Sequence, residues 1–95
     1  MAAATNQFSF GVSIDVDNRS GRILAVYCRV RKGRHRETRE IVANKVFADY
    51  NTRGELLGIE LLAPVSVAVL DRVTRNEPQS RDFVRRSVPR EMAIS

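Results

Sequence analysis

The sequence predicts a small α+β fold, in which an antiparallel sheet of two β-hairpins precedes one or two short C-terminal helices. Two pairs of apolar segments, each joined by a four-residue turn that ends in glycine, predict the hairpins. After residue 63, helical spacing and cap-like residues replace the alternating pattern. A chain of 95 residues that is 43% hydrophobic suits one packed domain. We assign that domain to residues 11–88, between a flexible N-terminus over 1–10 and a flexible tail over 89–95.

The first hairpin begins with a strand whose apolar residues alternate with polar ones, at Val12, Ile14 and Val16. Its turn ends at Gly21, a residue type that adopts a left-handed backbone without strain. The second strand follows over residues 23–30. We expect the facing pairs of this hairpin to be Val16–Ile23, Ile14–Ala25 and Val12–Tyr27.

The second strand of this hairpin is apolar on both faces, which is typical of a strand covered on both sides. Two short helices can cover only one face of a small sheet. A contiguous apolar face of this size is rarely left in solvent by a monomer. We therefore expect a homodimer, whose candidate face comprises Ile14, Leu24, Val26, Cys28 and Val30.

A second hairpin is predicted over residues 45–62, with a turn over 51–54 that ends at Gly54. We expect its facing pairs to be Val46–Ile59, Ala48–Leu57, Phe47–Gly58 and Lys45–Glu60. Between the hairpins, residues 37–41 form either a short strand or a linker.

The C-terminal third predicts helices. Ser66 could cap a helix from residue 67 to about 75, although its β-branched valines leave a fifth strand as the alternative. A second helix begins near Pro78, runs through Phe83 and Val84, and ends before Pro89.

The second hairpin carries a family likeness. Residues 47–60, Phe-Ala-Asp-Tyr-Asn-Thr-Arg-Gly-Glu-Leu-Leu-Gly-Ile-Glu, resemble the Asp-Tyr-Asp-x-x-Gly-x-Ile/Leu-x-Gly-Ile-Glu signature of a small bacterial family, domain of unknown function 2283. Residues 24–30 are similar to that family's Asp-Ala-Leu-Tyr-Ile-x-Leu strand, with Leu24 and Asn51 in place of acids. The resemblance, over residues 14–62, implies a β-rich module without established catalytic residues. Because such modules are sometimes encoded beside toxin-like genes, it makes a small toxin-like protein a candidate partner.

Charge supplies the alternative function. Sixteen Lys and Arg against eleven Asp and Glu give a net charge of +5, and all the cations except Lys32 and Lys45 are arginines. The densest cluster lies in the loop over 31–36, where the candidate interaction residues are Arg31, Lys32, Arg34 and Arg36. Clustered cations attract phosphate, but no aromatic residue lies among them to stack on bases. Nucleic-acid binding is therefore the alternative to an interaction module.

Other chemistry is disfavoured. Asp49, Asn51, Gly54 and Glu60 have calcium-loop spacing, but Arg53 stands where an oxygen ligand is needed. One cysteine and one histidine cannot form a structural zinc site within one chain. We therefore assign no catalytic, cofactor or metal residue and expect a protein that is not an enzyme.

The compartment is predicted from two features. A single cysteine suits a reducing cytosol. The longest apolar run, over residues 23–28, is too short to cross a bilayer. We expect a cytoplasmic protein that does not enter membranes.

Overall fold

A computed structural model describes residues 7–74 and 76–94. Five strands form one antiparallel sheet in the order β1-β2-β5-β4-β3, and their bounds are β1 Gly11–Val16, β2 Ile23–Arg29, β3 His35–Val42, β4 Val46–Asn51 and β5 Leu56–Leu62. The chain continues with β6 Val65–Ser66, α1 Val69–Val73, α2 Pro78–Ser87, a 3-10 turn Arg90–Met92 and β7 Ala93–Ile94. The predicted small α+β fold is confirmed.

The segment between the two hairpins is a full strand. β3 pairs with β4 and forms one edge of the sheet, which resolves the choice between strand and linker. Asn44 turns the chain between them with a φ of 60°, and its backbone N–H donates to the Glu40 carboxylate at 2.8 Å. Gly21 and Gly54 turn the two hairpins with φ of 75° and 80°, as expected for turn glycines.

The observed register of the first hairpin differs from the predicted one because of a bulge in β2. Val16 pairs with Ile23 as predicted, but Leu24 is then an extra residue, and Asp15 pairs with Ala25. The remaining observed pairs include Ile14–Val26 and Val12–Cys28 in place of Ile14–Ala25 and Val12–Tyr27. Because one extra residue reverses the parity of the pairing, Val12 and Ile14 move to the opposite face from the one expected.

The second hairpin differs from its predicted register by two residues. The observed pairs are Val46–Leu61, Phe47–Glu60, Ala48–Ile59 and Asp49–Gly58. One residue of the shift comes from a tighter turn, since the N–H of Asn51 donates to the Glu55 carbonyl at 3.0 Å. The other comes from a bulge at Leu57. A shift of two preserves the faces, so Val46, Ala48 and Ile59 still point to one side.

The core lies on one face of the sheet. Side chains from the three central strands pack against the C-terminal segment, and the buried cluster is Val26, Cys28, Val30, Val46, Ala48, Leu56, Ile59, Leu61, Val65, Val69, Leu70, Val84 and Met92. α1 begins at Val69 after Ala68, so Ser66, which lies in β6, is not its cap. α2 begins at Pro78 as predicted.

Both predicted flexible ends contain packed residues. Met92 is 1% exposed, and β7 pairs in parallel with β6. At the other end, the ring of Phe10 stacks on Phe8 and Phe83, with centroids 5.2 and 4.4 Å away. The domain therefore extends beyond 11–88 in both directions, while residues 1–6 and Ser95 of the two predicted ends lie outside the described residues.

Candidate functional site

The two edges of the sheet differ in charge. β3 has the sequence His-Arg-Glu-Thr-Arg-Glu-Ile-Val, and its first six residues are exposed. Its pairing with β4 is irregular at Arg36 and Ile41. Charges and bulges on an edge strand oppose pairing with another chain. β1, at the other edge, has the sequence Gly-Val-Ser-Ile-Asp-Val, with Asp15 as its one charged residue. The β1 edge therefore lacks the protection that β3 has.

Large apolar side chains are exposed on β1, on Phe10 just before it and on the bulged residue Leu24 of the neighbouring strand β2. In the order of the chain, the exposed residues are Phe10 (39%), Val12 (44%), Ile14 (47%), Val16 (46%) and Leu24 (51%). The first four alternate along β1 and the residue before it, so they share one side of the strand. We call these five residues the β1 apolar row.

The β1 apolar row lies beside the core but is not covered by it. Ile14 pairs with Val26 and Val12 pairs with Cys28, and the side chains of Val26 and Cys28 are completely buried. The C-terminal segment thus covers β2 and leaves the neighbouring side chains of β1 in solvent. Phe10, which stacks on Phe83 of α2, marks the end of the row that the helix reaches.

The structure divides the predicted dimer face. Ile14 and Leu24 are exposed, whereas Val26, Cys28 and Val30 are each 0% exposed and belong to the core. The last three are therefore not surface residues, because the C-terminal segment packs on their row of β2. Burial raises the pKa of Cys28 to about 11, so its thiol is protonated and unreactive at neutral pH.

The basic loop is also divided. Lys32, Arg34 and Arg36 are exposed, but Arg31 is 3% exposed. The Arg31 guanidinium donates to the Leu56 carbonyl at 2.5 Å and to the Glu77 carboxylate at 2.6 Å. Arg31 is therefore a buried link between the sheet and the start of α2, and it is not available as an exposed contact.

A polar network that the sequence did not indicate lies on the face of the sheet opposite the core. The Tyr27 hydroxyl donates to Oδ2 of Asp49 at 3.0 Å, and the Thr38 hydroxyl donates to Oδ1 at 2.5 Å. Nε2 of His35 lies 2.8 Å from the Thr38 oxygen. Since Thr38 uses its proton on Asp49, His35 must donate to it, which places a proton on Nε2.

Gly58 makes this network geometrically feasible. Tyr27 on β2 reaches Asp49 on β4 by crossing β5 directly over Gly58. A Cβ at residue 58 would collide with the Tyr27 hydroxyl and would lie 2.9 Å from the Cys28 carbonyl oxygen. A glycine inside a strand pattern is the one sequence signal for such a close approach.

Within the network, Tyr27 keeps its proton at neutral pH. Burial, and then the hydrogen bond to Asp49, raise the pKa of Tyr27 to about 12. Tyr27 therefore serves as a hydrogen-bond donor. Within residues 7–74 and 76–94, no three His, Cys, Asp or Glu side chains gather so that they could hold a metal ion.

No helix within the described part of the chain is long and apolar enough to cross a membrane.

Comparisons with models of protein families, with curated proteins and with solved structures find no match to this chain.

We expect Gly58→Ala to destabilise the domain by about 1–3 kcal/mol, because the added methyl group overpacks the contact with Tyr27. Urea denaturation measures the change. In a Tyr27→Ala background the same substitution should cost less, since only the contact with the Cys28 carbonyl remains. Equal costs in both backgrounds would contradict the role given to Gly58.

We expect the hydroxyl of Tyr27 to lose its proton only at high pH. In a Tyr50→Phe variant, which leaves Tyr27 as the only tyrosine, ultraviolet absorbance should show a midpoint near 12. Asp49→Asn should lower that midpoint, since the carboxylate charge disfavours the phenolate. A folded pKa above the ordinary 10.0 means that the contribution of Tyr27 to stability is complete below pH 10 and is lost as pH rises toward 12. A midpoint near 10, with circular dichroism still native, would refute this assignment.

Proposed function

We propose that this protein is a non-enzymatic interaction module that self-associates through β1. The observation that supports the proposal is the β1 apolar row, which follows an edge strand whose outer backbone groups pair with no other strand among residues 7–74 and 76–94. An edge of this kind is a template for pairing with another strand.

Strand geometry specifies how two copies would meet. The apolar residues of β1 have even numbers and the polar ones odd numbers. In a twofold antiparallel pair of β1 strands, apolar side chains therefore face each other only when even-numbered residues lie opposite even-numbered residues. With Ile14 on the twofold axis, Val12 of one copy lies opposite Val16 of the other, and Ser13 lies opposite Asp15. This register keeps the two Asp15 carboxylates apart and continues the five strands into a ten-stranded sheet.

The exposed area suits a dimer. At their exposed fractions, the five residues of the β1 apolar row leave on the order of 400 Å² of apolar surface in solvent. A standard interface buries about 800 Å² per partner, of which roughly 500 Å² is apolar. The row would therefore supply at most about 400 Å² of the apolar part, and the paired backbones and strand ends would supply the rest.

The resemblance to domain of unknown function 2283 implies a binding module of this type, and that implication stays a prediction from the sequence. A small toxin-like protein is a candidate partner on the same grounds. The self-association proposal rests on the β1 apolar row alone and requires neither the family nor that partner.

We expect sedimentation equilibrium at micromolar concentration to give twice the monomer mass of 10.7 kDa. Ile14→Glu should weaken the dimer at least about a hundredfold, because each interface loses two apolar side chains and places two like charges opposite each other. The variant should stay folded, since Ile14 is 47% exposed.

Ala43→Glu provides the matched control. It adds the same charge at an exposed position between β3 and β4, away from β1, and should leave the dimer intact. A folded wild-type species of 10.7 kDa at this concentration would refute self-association, and so would equal dissociation by both variants.

A further inference from the structure

We propose that the cavity between the basic loop and the β4–β5 turn binds the phosphate group of a small ligand. The cavity has a volume of about 520 Å³. Its cationic lining comprises Arg31, Lys32, Arg34 and Arg53, from two segments that are distant in sequence. The size is that of a site for a small molecule.

The exposed cations of the cavity lack carboxylate partners. Among the described residues, Lys32, Arg34 and Arg53 form no ion pair, whereas Arg39 and Arg85 each pair with a carboxylate within 3 Å. Glu55 is the one acidic residue of the lining, and Oε1 of its carboxylate accepts a hydrogen bond from the Asn51 side chain at 2.9 Å. The exposed lining therefore carries three positive charges and one negative charge, and the carboxylate already accepts a hydrogen bond from Asn51. This excess of positive charge favours a ligand with two negative charges.

The backbone on both sides of the cavity is held by the sheet. The Asn51 side-chain oxygen accepts the backbone N–H groups of Arg53 and Glu55, both at 2.9 Å. On the other side, the backbone N–H groups of Val30 and Arg31 donate to the Leu57 carbonyl at 2.7 and 3.3 Å. Because these segments are already ordered, a ligand would have to immobilise only the side-chain ends.

Arg31 contributes charge to the cavity but no accessible hydrogen-bond donor. It lines the cavity, it is 3% exposed, and its Nε has no hydrogen-bond partner among the described residues. Because Nε is itself buried, a phosphate group in the cavity would meet the exposed cations Lys32, Arg34 and Arg53 instead. The other two nitrogens of its guanidinium are already used on Leu56 and Glu77.

The chemistry of the lining favours phosphate. Guanidinium groups match the oxygens of phosphate in a bidentate manner, and two exposed arginines are present. The one aromatic residue of the lining, Phe8, is already stacked on Phe10 and covered by the Arg31 guanidinium at 5.1 Å. Recognition would therefore act on the charged group of the ligand, with little contribution from base stacking.

Calorimetric titration of sodium pyrophosphate into the full chain, at an ionic strength balanced with sodium chloride, tests the proposal. We expect saturable binding and a rise in melting temperature. Arg53→Gln should weaken binding at least about tenfold, because it removes one charged hydrogen-bond donor. Arg36→Gln is the matched control, since it removes the same charge from an exposed residue that does not line the cavity, and it should bind as the wild type does.

A phosphate site and a nucleic-acid surface would give different results. Absence of saturable binding, or equal weakening by Arg53→Gln and Arg36→Gln, would overturn the proposal. Tighter binding of an oligonucleotide that lacks a terminal phosphate would also overturn it, in favour of a nucleic-acid surface. Ile14→Glu should bind pyrophosphate as the wild type does, so the cavity can be judged independently of self-association.

Discussion

The packing of the C-terminal segment against the three central strands decides which surfaces this protein leaves open. Val84 of α2, Met92 of the 3-10 turn and Leu70 of α1 cover the apolar row of β2, β5 and β4 and are almost completely buried. The segment reaches the β1 side of the sheet at Phe10, which stacks on Phe83 of α2, and leaves Val12, Ile14 and Val16 exposed. β1 is therefore paired through its backbone on one side and is left with its apolar side chains in solvent.

The opposite face of the sheet carries the polar network of Tyr27, Asp49 and Thr38. Tyr27 crosses Gly58 and bonds to Asp49, and in doing so it covers strand β5 without a second layer of helices. On this face Ala25 and Leu57 are 5% and 6% exposed, whereas Tyr27, Phe47 and Leu62 are half-buried. The large apolar side chains that stay exposed lie at the β1 edge of the sheet and not at the centre of this face.

Adjacent cations of the basic loop differ in burial and therefore in their contacts. Arg31 is committed to Glu77 and the Leu56 carbonyl, where it joins the sheet to α2. Its neighbour Lys32 and the nearby Arg34 stay exposed and meet Arg53 from another hairpin around one cavity. Nothing in the spacing of residues 31–36 distinguishes these roles, because charge density along the chain carries no information on burial.

The sequence by itself determined the strands of both hairpins, their turn glycines and the start of α2, because alternation, positive φ at glycine and proline at a helix start are local properties. Only the tertiary structure decided the register, since the bulges at Leu24 and Leu57 depend on packing across the sheet. That single extra residue at Leu24 moved Ile14 next to Val26 and to the edge of the core. The meeting of Lys32 and Arg34 with Arg53, and of Tyr27 with Asp49, likewise required the strand order β2-β5-β4, because side chains so far apart in sequence are brought together only by pairing.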